Sequence, residues 1–461
     1  MRRLLAAAAT TALLASCAQL PQGAPERANE VTARQVSLPD NLVPMKAFAS
    51  TRVSRPARPN GEIAADFLDL AFALESGRAL PVLSRFEGPI RVAVKGNAPA
   101  ILQGDLDRLL SRLRVEAGID IARAAPGAPA SITLEVIPKA RLQALVPNAA
   151  CFVAPNVSSW GEYKRLRNRA QTDWTRLTIR TRMAVFLPGD VSPQEMRDCL
   201  HEELAQAIGP VNDLYRLNDS VFNDDNFHTI LTGFDMLILR AYYAPELRSG
   251  MSRAEVVARL PAILARLNPG GGSGVPLVRA PTPRAWIEAI ETASGPGAST
   301  ASRRQSAERA VALARAAGWY DTRLAFSLFA RARLALGVDS QLALTSFQEA
   351  ERIYRALPGS ELQAANMGVQ LAAYALSGGR AGEAARIVEG YLPAARQAQN
   401  AALLATLLAI RAEALEMQGH TSEAALVRLD SLGWARYGFG SQAQVEKRMR
   451  EIAAIARRGR S

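Results

Sequence analysis

Cys199-Leu200-His201-Glu202-Glu203-Leu204-Ala205-Gln206-Ala207-Ile208-Gly209, followed by Pro210-Val211-Asn212-Asp213, is the stretch on which the fold turns. Ser192 precedes it, with Pro193 next and Glu195 three residues on, the pattern of a capped helix start. Gly209-Pro210 stops the helix. The spacing predicts one helix from 193 to about 208. On it Glu202, Gln206 and Gly209 lie at i, i+4 and i+7, on one face, with Glu203 beside them. Working outward, apolar alternation predicts strands at 89–94, 132–137 and 177–187. Helical spacing predicts helices at 64–75 and 105–115. Strands and helices are mixed, so residues 61–268 form an α+β domain with a mixed sheet and long helices.

Pro269-Gly270-Gly271-Gly272-Ser273-Gly274 and the stretch 294–302 punctuate a flexible linker region at 269–302, with a short helix between them. From 303 to 461 the chain is alanine-rich and reads as helix throughout, an all-α repeat domain. Gly337, Gly379 and Gly419 each close an apolar helix, 42 and 40 residues apart. A second helix follows each: Ala343, Phe347 and Ala350; then Ala384, Val388 and Tyr391; then Ala424 with polar Arg428 and Ser431. This resembles tetratricopeptide-type helical hairpins over roughly residues 303–437, at a spacing above the usual length of about 34. The last unit departs from the apolar pattern and reads as a cap. Such stacks present a groove that binds a peptide or another protein.

The N-terminus carries an address. Arg2 and Arg3 precede an apolar run, Leu4 to Leu13, too short to span a bilayer. Leu14-Ala15-Ser16-Cys17 then resembles the bacterial lipobox, which implies a signal peptide over 1–17, a lipid on Cys17 and a membrane anchor. Ala18 points to the outer rather than the inner membrane. Residues 18–60 hold six prolines and few apolar runs, and read as a tether. The expected location is the cell envelope, facing the periplasm. There Cys151 and Cys199 are expected to pair. The net charge of +12 favours anionic surfaces. No nucleic-acid docking motif and no phosphate loop accompanies it, so a nucleotide-driven transcription regulator is excluded.

Glu202-Glu203-x-x-Gln206-x-x-Gly209 has the spacing of the metal-binding helix of metalloproteases, H-E-x-x-H-x-x-G. The continuation resembles a metzincin. Asn212 stands at the third ligand position, Ser220-Val221-Phe222 at the Met-turn, and Leu231-Thr232-Gly233-Phe234-Asp235 through Tyr242 at the closing helix. All three histidine positions are changed, and only Glu203 keeps its chemistry. The resemblance therefore implies a pseudo-metalloprotease. Oxygen donors at Glu202, Gln206, Asn212 and Asp213 are poor zinc ligands, so no zinc or other cofactor is expected. A hard cation is the residual candidate for those four. A frame starting at His201 lacks its second ligand at Ala205. The run 199–213, with Asp235 and Tyr243-Ala244-Pro245-Glu246-Leu247-Arg248-Ser249-Gly250-Met251-Ser252, also resembles the bacterial lipoprotein family known as a domain of unknown function, DUF2927, over roughly residues 61–265.

Two function classes follow. The first is a non-catalytic scaffold anchored by lipid, with envelope proteins or peptides held by the repeats and no nucleic acid. The second is a hydrolase of peptides or cell wall with Glu203 as general base. Asn223-Asp224-Asp225-Asn226 reads as a solvated turn, with calcium coordination as its alternative. The Arg457-Arg458-Gly459-Arg460 tail reads as a favourable helix C-terminus, or as a contact for anionic lipid.

Overall fold

Pro59 opens the first helix, α1 (Asn60–Ala71), so the helix starts and ends earlier than the expected 64–75. Residues 72–80 instead double back: Ala73 bridges Ala79, Leu74 N–H donates to Arg78 O at 2.9 Å, and Gly77 takes φ +80°. The structure, a computed structural model, describes residues 43–48, 55–56 and 58–459. The expected signal peptide, the expected lipidation site Cys17, most of the expected tether and Arg460 lie outside the described residues.

After α1 come β1 (Ile90–Gly96), α2 (Ala100–Ala117), β2 (Ile121–Arg123), β3 (Ile132–Ile137), α3 (Lys139–Gln143), β4 (Phe152–Pro155), α4 (Trp160–Leu166), β5 (Met183–Pro188) and α5 (Pro193–Ile208). The strands form one mixed sheet in the order β2-β1-β3-β5-β4, with only β4 antiparallel. β5 is buried at every residue, as expected of a sheet covered on both faces. Its alternate residues serve two cores. Met183, Val185 and Leu187 join the large core with α1, α2 and α5. Ala184 and Phe186 join a small core with Leu142, Trp160 and Ala154. β5 is shorter than the expected 177–187: Leu177 ends a 3-10 turn, Ile179 is exposed and Arg180 is buried. α6 (Gly233–Tyr242) and α7 (Arg253–Leu267) complete this part. Both start with a capping box, Thr232 with Asp235 and Ser252 with Glu255.

The glycines after α7 serve close packing. Asn60 Nδ2 donates to Asn268 O and to Gly272 O, both at 3.0 Å. A Cβ on Gly274 would lie 2.7 Å from Pro261 Cα. The expected flexible break is thus held against α1 and α7.

Beyond it the chain is helical, as read: α8 (Arg284–Ser294), α9 (Thr300–Ala316), α10 (Thr322–Ala335), α11 (Ser340–Ala356), α12 (Glu361–Ser377), α13 (Ala381–Gln397), α14 (Ala401–Met417), α15 (Thr421–Phe439) and α16 (Gln442–Arg458). Gly337, Gly379 and Gly419 sit between α10 and α11, α12 and α13, and α14 and α15, each at positive φ. That conformation ends a helix without the penalty a Cβ would bring. Ala343, Phe347, Ala350, Ala384, Val388 and Ala424 are all buried where their helices cross. α14 is buried on nearly every side. α15 crosses it so closely that a Cβ on Gly438 would lie 2.5 Å from Ala402 N.

The two parts are packed together. Tyr215 and Phe227, from the segment between α5 and α6, enter the core of the helical part. Tyr215 meets Trp286 edge-on at 5.1 Å, and Phe227 lies 5.4 Å from Phe329 and 6.2 Å from Tyr354. Asn218 Nδ2 donates to Pro358 O at 2.7 Å, and Gln363 Nε2 donates to Asn218 O at 2.7 Å. Gln194 on α5 caps α14 by accepting from Ala402 N–H at 3.0 Å. Arg197 donates to Gln399 O, and Tyr437 Oη donates to Asp105 on α2. Among the described residues no helix is long and apolar enough to cross a membrane.

Candidate functional site

Ser192 caps α5 by accepting from Glu195 N–H, and the helix ends at Gly209, as its sequence requires. A Cβ on Gly209 would meet Leu239 Cδ2 at 2.6 Å, so this glycine admits α6. The helix is fixed at its N-terminal half by a disulfide, Cys151–Cys199, with Cα atoms 5.9 Å apart. The pairing expected of these cysteines is present. It ties the residue before edge strand β4 to α5.

His201 is a structural residue. Its Nδ1 accepts from Leu231 N–H at 3.1 Å. Burial, with Arg197, Arg112 and Arg108 nearby, holds its pKa well below the usual histidine range. The neutral ring is what such an acceptor requires. Arg180 is buried beneath the helix end and donates to Gln206 O at 2.6 Å.

The expected oxygen donors divide. Gln206 Nε2 donates to Asp213 Oδ2 at 3.3 Å. Asn212 turns away, and its amide donates to Asp69 O at 2.9 Å. Glu203 is 4% exposed, and its Oε2 has no hydrogen-bond partner. Burial, with Glu202 and Glu75 adding like charge, raises its pKa well above the carboxylate range. Glu202 is pushed up to about 8 by burial and by Asp224 and Glu75. Asp213 is raised by burial, Asp224, Glu75 and Glu202.

Two residues complete an acidic cluster that the spacing on α5 does not contain. Glu75 comes from the tight turn after α1, and Asp224 from the acidic turn read separately in the sequence. One carboxylate oxygen from each of Glu75, Asp213 and Asp224 lies within 4.8 Å of the other two. Asp224 is pushed up to about 7 by burial, Glu75 and Glu291. Asp225, its neighbour, is turned to structural use, accepting from Phe227 N–H at 3.1 Å and Asn223 Nδ2 at 2.9 Å. Asp235 serves the same purpose, accepting from Thr232 N–H, Val221 N–H and Ser220 Oγ. Phe222, expected at a Met-turn, is fully buried in the large core.

This is a mixed-sheet domain with an acidic cluster beside one helix, continued by an all-helical array. Residues 60–262 match a family model described as Protein of unknown function (DUF2927). No curated protein and no solved structure matches the chain significantly.

Proposed function

We propose that the chain is an exported, lipid-anchored scaffold of the cell envelope, built on a pseudo-metalloprotease domain and tetratricopeptide-like helical hairpins. The observation that carries this reading is the use made of the former ligand positions. The Asn212 amide is committed to Asp69 O, and the Gln206 amide to Asp213. Neither is an imidazole, and an amide offers zinc only a weak oxygen donor. The metzincin lineage is supported by the arrangement of α5, which follows β5 directly and is bridged to the segment before the antiparallel edge strand β4. The hairpin reading is supported by the three positive-φ glycines between paired helices. The signal sequence and Cys17 supply the export and anchor parts of the proposal.

A partner would meet the outer helices of the array, because α10, α12 and the start of α14 face the chain's own residues 194–227. Leu426 and Leu429 stand exposed on α15. In-cell crosslinking followed by purification from membranes is the test. Wild type and Glu203→Gln retain the same crosslinked partner, while Leu426→Glu with Leu429→Glu loses it. Turnover of a peptide or cell-wall fragment that Glu203→Gln abolishes would overturn the scaffold reading. It would favour the hydrolase, for which Glu203 is the general-base candidate.

A further inference from the structure

The acidic cluster has the geometry of a cation site, and we propose that Glu75, Asp213 and Asp224 bind a calcium ion. The inference does not depend on the scaffold reading. The three oxygens come from separate places in the chain: a turn after α1, the segment leaving α5 and the acidic turn before α6. Calcium holds its oxygen ligands at about 2.3–2.6 Å, so two oxygens on opposite sides of one ion are up to about 5 Å apart. Separations within 4.8 Å fit inside that span. Magnesium gives up its water reluctantly and is held by one or two carboxylates, so three converging protein carboxylates favour calcium. The all-oxygen donor set disfavours zinc.

A second observation points to the same ligand. Asp213 is 9% exposed, its Oδ2 is taken by Gln206, and its Oδ1 has no hydrogen-bond partner. One carboxylate oxygen of Asp213 lies within 4.8 Å of one from Glu75. Like charges this close repel, and a bound cation or a proton relieves that repulsion. Basic side chains do not supply the charge. Among the described residues, none of Glu75, Glu202, Glu203, Asp213 and Asp224 is in an ion pair. Asp66, by contrast, pairs with Arg58 and Arg216. In a chain with 55 lysines and arginines to 43 acids, an acidic cluster without a basic partner is set apart.

The site would close the two ends of the segment that carries Tyr215 and Phe227 into the helical array. Asp213 lies just before Tyr215 and Asp224 just before Phe227. The ion would thus hold the junction of the two parts rather than take part in chemistry.

Calcium chloride titrated into EDTA-treated chain from residue 18 onward, followed by calorimetry and thermal melting, tests this. One ion binds per chain and raises the melting temperature. Asp224→Asn and Glu75→Gln each weaken calcium at least tenfold. In EDTA each variant melts at or above wild type, because a like charge is removed, which separates lost binding from lost folding. The absence of saturable heat and of any melting shift in wild type would overturn the proposal. So would unchanged affinity in both variants, or tighter binding of magnesium or zinc than of calcium.

Discussion

Removing the Cys151–Cys199 bridge is the perturbation whose size the structure fixes best. The bridge closes a loop of 48 residues. On the chain-entropy model, that closure limits the unfolded chain enough to stabilise the folded one by about 4 kcal/mol at 25 °C. Cys199 is buried in the large core, so Cys199→Ala adds a small void costing about 1 kcal/mol. Unfolding entropy of about 2.1 cal/mol/K per residue, over the body from 58 to 459, converts 4 kcal/mol into a fall of about 5 °C in melting temperature. The assay is urea unfolding and thermal melting of a chain that starts after Cys17, as wild type and as Cys151→Ala with Cys199→Ala. The midpoint drops and the urea slope rises modestly, because the unbridged unfolded chain is less compact. Thiol titration of unreduced, denatured wild type finds no free thiol. A difference below about 1 kcal/mol, or two reactive thiols per chain, would refute the argument.

Asp198 has an unpartnered Oδ1, and burial raises its pKa well above the usual carboxylate value, with Arg197 opposing and Glu195, Glu202 and Asp105 adding to the rise. The folded state then holds a proton that the unfolded state releases, so stability falls as pH rises from the ordinary aspartate value through the raised one. Asp198→Asn therefore melts above wild type at pH 8, and scanning fluorimetry shows the gap closing as pH approaches 4. Phe227→Ala removes a ring from among Phe326, Phe329 and Tyr354 and costs about 3–5 kcal/mol. Its signature in limited proteolysis is faster cutting between 213 and 232. Gly438→Ala forces a methyl group against the α14 backbone, a cost of about 1–3 kcal/mol seen in urea unfolding, while the same change at exposed Gly382, where a Cβ meets nothing, is tolerated.

The sequence was most legible where a local pattern and a local cause coincide. β3 and α5 occupy the expected residues because strict alternation defines one and a cap, Pro193 and Gly209 define the other. The hairpin glycines were visible because a positive φ leaves few other residues available. β4 escaped notice: it is four residues long, ends in Pro155 and earns its place only through pairing with β5. The alternation at 177–182 misled because Arg180 is polar by type yet buried, its charge satisfied by Gln206 O. All of the acidic cluster but Glu75 lay in the two motifs, Glu202, Glu203 and Asp213 in one and Asp224 in the other. Glu75 carried no signal. It reaches the cluster because α1 ends at Ala71 and the chain turns at Gly77, which no spacing on α5 could reveal.

The packing of Tyr215 and Phe227 into the helical array has a consequence for biogenesis. A chain made from its N-terminus passes through a stage in which the sheet and α5 are complete and these two rings have no cover. Phe329 and Tyr354 emerge more than a hundred residues later, and until then the nascent protein offers a greasy loop to chaperones and proteases. A product cut short before α8 lacks Trp286, Phe326, Phe329 and Tyr354 alike, and so leaves both rings bare to the quality-control machinery.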